Sequence, residues 1–411
     1  LPINLALSGP AGGVAASAYV AGLAGFDNVI TCDIGGTSTD VCLIKGGVPL
    51  MTNHGTIAGH PNRTFQIEIN TIGAGGGSIA WRDRGGELRV GPRSAGSDPG
   101  PACYGRGGAE PTTTDAHLVV GHLDPHGRLG GEVTPRLDEA RAALGRLAAE
   151  LGDGLTETEL AYGILRLATV KMTSAIKEIS VARGHDPREF VLMPFGGAGP
   201  MHATALADEL GIPRVLVPPV PGNFSALGFV AARARHDYVR TALVPADSAG
   251  LASARALVDE LKAAARDQLK AEDAVEADQV TFRLSLGMRF RGQSFDLAVP
   301  LDELPDEPAD LIRAFHAAYQ ERYAYLRSEH PAEIVNCRLT AFGPQPAVTF
   351  AAPPDGPAPE PTTVPVWGPD GWTDAAVWQR GELTAGVRIS GPAVVRESGS
   401  TTVVGAGWWG R

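Results

Sequence analysis

Asp33-Ile34-Gly35-Gly36-Thr37-Ser38-Thr39-Asp40 lies between two hydrophobic runs, Val29-Ile30-Thr31-Cys32 before it and Val41-Cys42-Leu43-Ile44 after it. This pattern reads as two short strands joined by a turn of glycines and hydroxyls. Gly35 and Gly36 let the backbone approach a ligand closely. They are expected to take positive φ and to point successive N–H groups into a concavity suited to phosphate oxygens. Thr37, Ser38 and Thr39 add hydroxyl donors. Asp33 and Asp40 bracket the turn, and Mg²⁺ shared with phosphates is normally held by one or two such carboxylates. The bland alternative, an ordinary Gly-rich turn, suits a bare Gly-Gly pair better than eight such positions between two strands.

A second glycine turn stands at Phe195-Gly196-Gly197-Ala198-Gly199-Pro200. It joins the end of an apolar run to a helix starting near Pro200, where free N–H groups and the positive dipole end can meet an anion. The absent side chains leave room for an adenine or ribose. No Walker A sequence, with Lys followed by Ser or Thr after spaced glycines, occurs in the chain.

Outward from these turns, Ala11 to Leu23 reads as a helix, and strands are expected at about 28–34, 39–45 and 48–53. The capping box Thr156-x-x-Glu159 opens a helix on a 3.6 period that stops at Gly184. A buried strand at 190–195, a helix at 200–210, a strand at 214–217 and a small-residue helix at 223–232 follow. The resulting order is βββαβαβα, with residues from about 55 to 155 inserted between the third strand and the first long helix. Residues 1–240 are therefore expected to form one α/β lobe, 241–345 an α+β domain, and 346–411 a Pro-rich link with a terminal β segment.

The insertion holds Gly73-Ala74-Gly75-Gly76-Gly77-Ser78, too glycine-dense for a strand. So much backbone freedom carries an entropy cost that a plain connector does not need. Something comes close to this backbone, phosphate or substrate at Gly75, Gly76, Gly77 and Ser78, or else the stretch is a plain flexible loop. Arg93, Ser94, Ser97 and Asp98 lie in a second Gly/Pro-rich turn, each equally readable as part of a rigid surface loop. Asp115 follows three threonines and precedes His117; it reads as a helix N-cap or as a group facing the reaction centre.

Composition sets the class. The 411 residues carry 35 Lys and Arg against 46 Asp and Glu, a net charge of −11. With no basic run, nothing points to nucleic acid or an anionic membrane. No apolar run reaches the ~18 residues of a membrane span. The four cysteines, at 32, 42, 103 and 337, form no CxxC pair and suggest reduced thiols and a cytoplasmic setting.

The eight-residue turn resembles the second phosphate loop of the actin, sugar-kinase and Hsp70 superfamily. The run from Phe195 to Ala203, with Leu206 to Ile212 and Val215 to Pro218, resembles its adenosine motif. The wording of 73–80, 90–108 and 112–123 is similar to the hydantoinase A/5-oxoprolinase family, which includes subunits of acetone and acetophenone carboxylases. The likeness runs from Ser8 to Val404. It implies a ribonuclease-H-like, actin-type ATPase lobe with ATP and Mg²⁺ as cofactors. Phosphate would meet Gly35, Gly36, Thr37, Ser38 and Thr39, and the nucleoside Gly196, Gly197, Ala198 and Gly199. Mg²⁺ would be held by Asp33 and Asp40, with Asp33, Asp40 and Asp115 as the catalytic candidates. Departures are Glu68-Ile69-Asn70, where members have Asp-Ile-His or Asp-Ile-Asn, and His117, where Asn is usual; His122 is also uncommon.

The activity implied is ATP-dependent opening of a cyclic amide or imide such as a hydantoin or 5-oxoproline. Phosphorylating the carbonyl oxygen removes amide resonance and creates a leaving group. Two alternatives stand beside it: a carboxylase subunit that phosphorylates a ketone enol or bicarbonate, and a nucleotide-binding subunit without turnover. The chain has one phosphate turn, and the likeness starts at the helix before a second lobe. An N-terminal lobe is thus expected to be absent or on another chain, leaving an apolar face for self-association or a partner. A hydantoinase B-type subunit or domain is the other implied partner.

Overall fold

The computed structural model describes residues 8–52, 55–57, 60–62, 66–131, 133–152, 154–273, 275–326 and 329–411. Two units emerge: residues 1–231 with 348–411, and residues 232–347.

The first unit is built on a mixed sheet. Strands β1 (Val29–Ile34), β2 (Thr39–Lys45) and β3 (Val48–Pro49) form an antiparallel meander, and the strand Val191–Phe195 joins β1 in parallel. A parallel bridge from Leu192 to Val215 extends this edge, where a full strand was expected. Asn70–Ile72 pairs with the other end of β2. The strand expected over 48–53 breaks at Leu50, resumes at Met51–Thr52, and its last position lies outside the described residues.

Alternation divides the sheet's two faces. Ile30, Cys32, Ile34, Val41 and Leu43 enter the larger core, which also takes residues of helices α2 (Thr113–Val119), α3 (Leu137–Leu151), α4 (Glu157–Ile179) and α5 (Gly199–Leu210). Val29, Cys42 and Ile44 face a smaller core with α1 (Ser8–Leu23) and α6 (Phe224–Ala231). Small residues let α1 and α6 touch backbone to backbone: a Cβ at Gly228 would lie 1.7 Å from Gly12 O. The Thr156/Glu159 capping box opens α4 as expected.

Residues 348–411 return to this unit. A four-stranded sheet of Thr362–Gly368, Gly371–Gln379, Ala393–Glu397 and Ser400–Val404 packs its last strand on α5. Thr204 Oγ1 donates to Val403 O at 3.3 Å and accepts from Gly405 N–H at 3.1 Å.

The second unit is an antiparallel sheet in the order Arg235–Pro245, Ala332–Phe342, Thr281–Phe290, Leu297–Leu301, joined in its core by α7 (Ser248–Asp273) and α8 (Pro308–Tyr323). Phe290, Phe315 and Tyr319 interlock there with ring centroids 4.9–5.7 Å apart.

Candidate functional site

The hairpin tip is closed by Gly35 N–H donating to Ser38 O at 3.1 Å, with Gly36 and Thr37 exposed. Neither Gly35 nor Gly36 takes positive φ, contrary to expectation. Their value is empty space: a Cβ on either meets nothing within 4 Å. The turn's other side is filled by the protein itself. Gly76 N–H donates to Gly35 O at 2.9 Å and Gly77 N–H to Gly36 O at 2.6 Å.

A Cβ at Gly75 would stand 2.8 Å from both Gly35 O and Thr37 N, and one at Gly77 would stand 2.9 Å from Gly36 O. Two glycine loops therefore stack backbone on backbone. Hydroxyls pin the lower loop: Thr39 Oγ1 donates to Ala74 O, Thr113 Oγ1 to Gly75 O and Thr114 Oγ1 to Gly76 O, at 2.5, 2.5 and 2.8 Å. Ser78 Oγ accepts from Gly75 N–H at 2.8 Å. The expected ligand contacts at Thr39, Gly75, Gly77 and Ser78 are corrected on this ground: all four are buried and their polar groups serve one another.

Asp33 faces Asp40 across the ladder. Burial pushes the Asp33 carboxyl up to about 6; a 3.0 Å bond from Ser225 Oγ opposes this and the neighbouring Asp40 adds to it. Asp40 is raised too, chiefly by burial, against hydroxyl bonds from Thr71, at 2.5 Å, and Ser38. Two half-buried carboxylates with hydroxyl donors and no ion-pair partner among the described residues suit a hard divalent cation. No group of three His, Cys, Asp or Glu among the described residues could hold a metal. An ion here would share its shell between this pair, phosphate oxygens and water.

Asp115 is corrected outright. It is fully buried and sits at the third position of α2, in a capping box with Thr112. Its carboxylate accepts from Thr112 N–H and Oγ1 at 2.8 Å, Cys103 N–H at 2.7 Å and Ala102 N–H at 3.2 Å. Both oxygens are engaged by the protein's own donors, three on Oδ2 and one on Oδ1, so the carboxylate serves the fold.

The second glycine turn locks onto the first. Ala198 N–H donates to Ile34 O at 3.0 Å and Gly196 N–H to Pro221 O at 2.9 Å. Gly196 has φ +81°, and a Cβ there would strike Asp33 Oδ1 at 2.5 Å. Gly197 is exposed and open. Gly199 starts α5 and is buried against Cys32 O and Pro194.

A cavity of about 240 Å³ lies where these loops meet, bounded by Gly35 and Gly36, Gly76 and Thr114, and Gly197 and Ala198. Asp33 and Asp40 are not among its walls. Its remaining wall comes from the terminal hairpin, with Glu397 and Ser400, and from Arg128 of the insertion. The sequence reading passed over these three; the Glu397-Ser398-Gly399-Ser400 turn was the available signal. A larger surface hollow of about 350 Å³ at Tyr104, Arg106 and Arg136 touches neither glycine turn.

Three histidines stand together, His117, His122 and His202, each within three residues in sequence of one that lines the cavity. His117 Nδ1 is 2.9 Å from His122 Nδ1, and His117 Nε2 is 3.1 Å from His202 Nε2. A neutral imidazole has one donor and one acceptor nitrogen, so the three rings form a chain with one direction. Burial pushes all three toward the neutral form: His117 falls well below 6.5, and His122 and His202 fall to about 4.

The other residues singled out from the sequence serve structure. Glu68 pairs with Arg183, and the Asn70 amide donates to Ala175 O and to Glu178. Arg93 pairs with Glu110 at 2.9 Å, 5.7 Å from the Trp81 ring, and Ser94 Oγ accepts from Gly96 N–H.

Comparison with known proteins decides the family. The hydantoinase/oxoprolinase family matches residues 1–238, and the hydantoinase/oxoprolinase C-terminal domain matches residues 247–410. The chain belongs to the hydantoinase/oxoprolinase family. Among its family relatives are an uncharacterized Methanocaldococcus jannaschii protein, MJ0964, 37% identical over 97% of this chain and 59% of its own length, and the caprolactamase subunit alpha of Pseudomonas jessenii, 34% identical over 99% and 60%. The crystal structure of that ATP-dependent caprolactamase superposes with a TM-score of 0.80, at 34% identity, over 97% of this chain and 59% of its own. A nucleotide-free acetone carboxylase superposes with a TM-score of 0.81 at 28% identity, over 98% and 59%. The chain thus spans about three fifths of these relatives. Among the described residues no helix is long and apolar enough to cross a membrane.

Proposed function

We propose that this hydantoinase/oxoprolinase family chain forms the second lobe of an actin-type ATPase and phosphorylates the carbonyl oxygen of a cyclic amide or imide for ring opening. The observation that carries the reading is the convergence of two open glycine turns, Gly35–Gly36 and Gly197–Ala198, on one cavity. The sheet order, with β2 antiparallel to β1 and Val191–Phe195 parallel to it, supports the ribonuclease-H-like assignment.

The chain's own groups divide the work. Backbone N–H groups at Gly36 and Thr37 orient phosphate at the exposed tip, and Gly197 leaves room for the nucleoside. Asp33 and Asp40 would hold Mg²⁺, which neutralises phosphate charge when bound. In the reaction the amide oxygen bonds to the γ-phosphorus as ADP departs; one water then adds to the activated carbon and the C–N bond breaks, the nitrogen taking a proton, and a second water cleaves the resulting acyl phosphate to carboxylate and free phosphate. Such transfer depends on positioning and charge neutralisation. The caprolactamase relative favours a lactam or imide. A partner subunit or domain of the hydantoinase B type would complete the enzyme, as the relative's designation as a subunit suggests.

The acetone carboxylase likeness supports a second reading, phosphorylation of a ketone enol or of bicarbonate at the same site. ADP release by the full-length protein with its partner separates them. Stimulation by caprolactam, hydantoin or 5-oxoproline supports ring opening, and stimulation by acetone plus bicarbonate supports carboxylation. ATP binding without stimulated release by any of these leaves a nucleotide-binding subunit.

A further inference from the structure

The terminal hairpin has no part in either glycine turn, yet it closes the cavity they form. Its turn, from Glu397 to Ser400 with Gly399 at φ +82°, packs on the first unit so tightly that a Cβ at Gly222 would meet Gly399 O at 2.4 Å. Gly399 O also lies 3.7 Å from the position a Gly197 Cβ would take. The strand beyond it is fixed to α5 through Thr204, and Trp408 Nε1 donates to Asp208 at 2.9 Å. This wall is held rigidly.

Two of its side chains are unspent. Ser400 lines the cavity and is 7% exposed, and its hydroxyl has no hydrogen-bond partner among the described residues. A buried hydroxyl left alone loses its hydration without return, which marks it as awaiting a partner. Glu397 also lines the cavity; Arg380 Nη1 binds its Oε1 at 2.9 Å, while Arg380 Nη2 is tied to Val217 O at 3.1 Å. That clamp orients the carboxylate and leaves Oε2 to accept another bond.

A carboxylate repels the phosphate end of a nucleotide. It suits instead a neutral part rich in hydroxyl donors, and a ribose diol is such a part. We propose that Glu397 and Ser400 form the nucleoside-reading wall of this cavity, Glu397 accepting from a ribose hydroxyl and Ser400 bonding a second polar group of the nucleoside. This deepens the nucleotide reading above and rests on it. Arg128, on the same cavity, has the sign suited to the phosphate end.

The test is calorimetric titration of the full-length protein with Mg·ATP, Mg·2′-deoxyATP and magnesium tripolyphosphate, with no amide substrate present. Wild-type protein is expected to favour ATP over 2′-deoxyATP by roughly tenfold, the usual reach of a hydrogen bond to a charged group. Glu397→Gln should erase most of that preference and leave tripolyphosphate binding unchanged. Ser400→Ala should weaken ATP by about fivefold while leaving denaturation stability equal or higher, since the lost hydroxyl has no protein partner; this variant keeps the test open if Glu397→Gln fails to fold. ATP binding with no change in either variant overturns this inference alone. Wild-type protein that binds neither ATP nor tripolyphosphate overturns the nucleotide reading and the inference with it.

Discussion

Asp33 stands opposite Asp40 across the β1–β2 ladder, so two half-buried carboxylates share one face with no ion-pair partner among the described residues. In the folded protein the Asp33 carboxyl is raised from an ordinary 3.8 to about 6. A raised carboxyl binds more protons folded than unfolded, so its contribution to stability falls as pH rises from about 4 to above 6. Asp33→Asn should therefore stabilise the isolated chain at pH 7 by ~1–3 kcal/mol and lower Mg·ATP turnover of the complete enzyme by orders of magnitude. Paired thermal denaturation and ADP-release assays check both; lower stability with unimpaired turnover contradicts the assignment.

Gly75 and Gly197 should fail differently. A methyl at Gly75 meets Gly35 O and Thr37 N at 2.8 Å, contacts with backbone that cannot swing aside. Gly75→Ala is expected to lose ~2–4 kcal/mol of stability. A side chain at Gly197 has Gly399 O at 3.7 Å as its sole near neighbour and otherwise points into open space. Gly197→Val should leave urea denaturation nearly unchanged and weaken nucleotide binding at least tenfold by filling the cavity, and calorimetry on the two variants reads out the contrast.

Asp115→Asn tests the correction made above. An amide nitrogen in place of one carboxylate oxygen would confront N–H or O–H donors now satisfied by Asp115. Stability should fall by ~2–4 kcal/mol. Any loss of activity should track the fraction unfolded, so kcat per folded molecule, with the folded fraction measured by circular dichroism, stays near wild type.

Acid should weaken the fold through the histidine chain. His122 and His202 protonate only near pH 4 when folded, and His117 lies well below 6.5 as well. The unfolded chain binds more protons between about 6.5 and 4, so stability falls as pH drops through that window, by up to ~1.4 kcal/mol per pH unit for each ring. The raised Asp33 works in the opposite sense and offsets about one ring. His117→Asn removes the central ring and should flatten the slope between pH 5 and 7 in urea titrations; an unchanged slope counts against a neutral chain.

The sheet and both glycine turns could be read from sequence because strand alternation and turn chemistry act over a few residues. The same locality misled at Gly75 to Ser78. Glycine density announces a close approach to backbone but not what approaches, and here it is Gly35 and Gly36. Asp115 carried a similar ambiguity, resolved by donors at Ala102 and Cys103 that no spacing rule links to it. Glu397 and Ser400 went unread for the opposite reason: they lie about two hundred residues from Gly197 and more than three hundred from Gly35, Gly36 and Gly76, and their turn announces a hairpin but not what it faces.

Residues 232–347 leave and re-enter at neighbouring points, Gly343 N–H donating to Ala234 O at 2.9 Å. The wall made by residues 393–404 is therefore synthesised only after the whole of residues 232–347, although it belongs to the unit that precedes them. At roughly 5–20 residues per second, on the order of ten seconds or more separates emergence of Ala231 from completion of the cavity. During that interval the nascent glycine turns stand without their cover, and α5 without the strand that docks on it. Any partner proposed to dock at this face during synthesis would have to compete in time with the hairpin of residues 393–404.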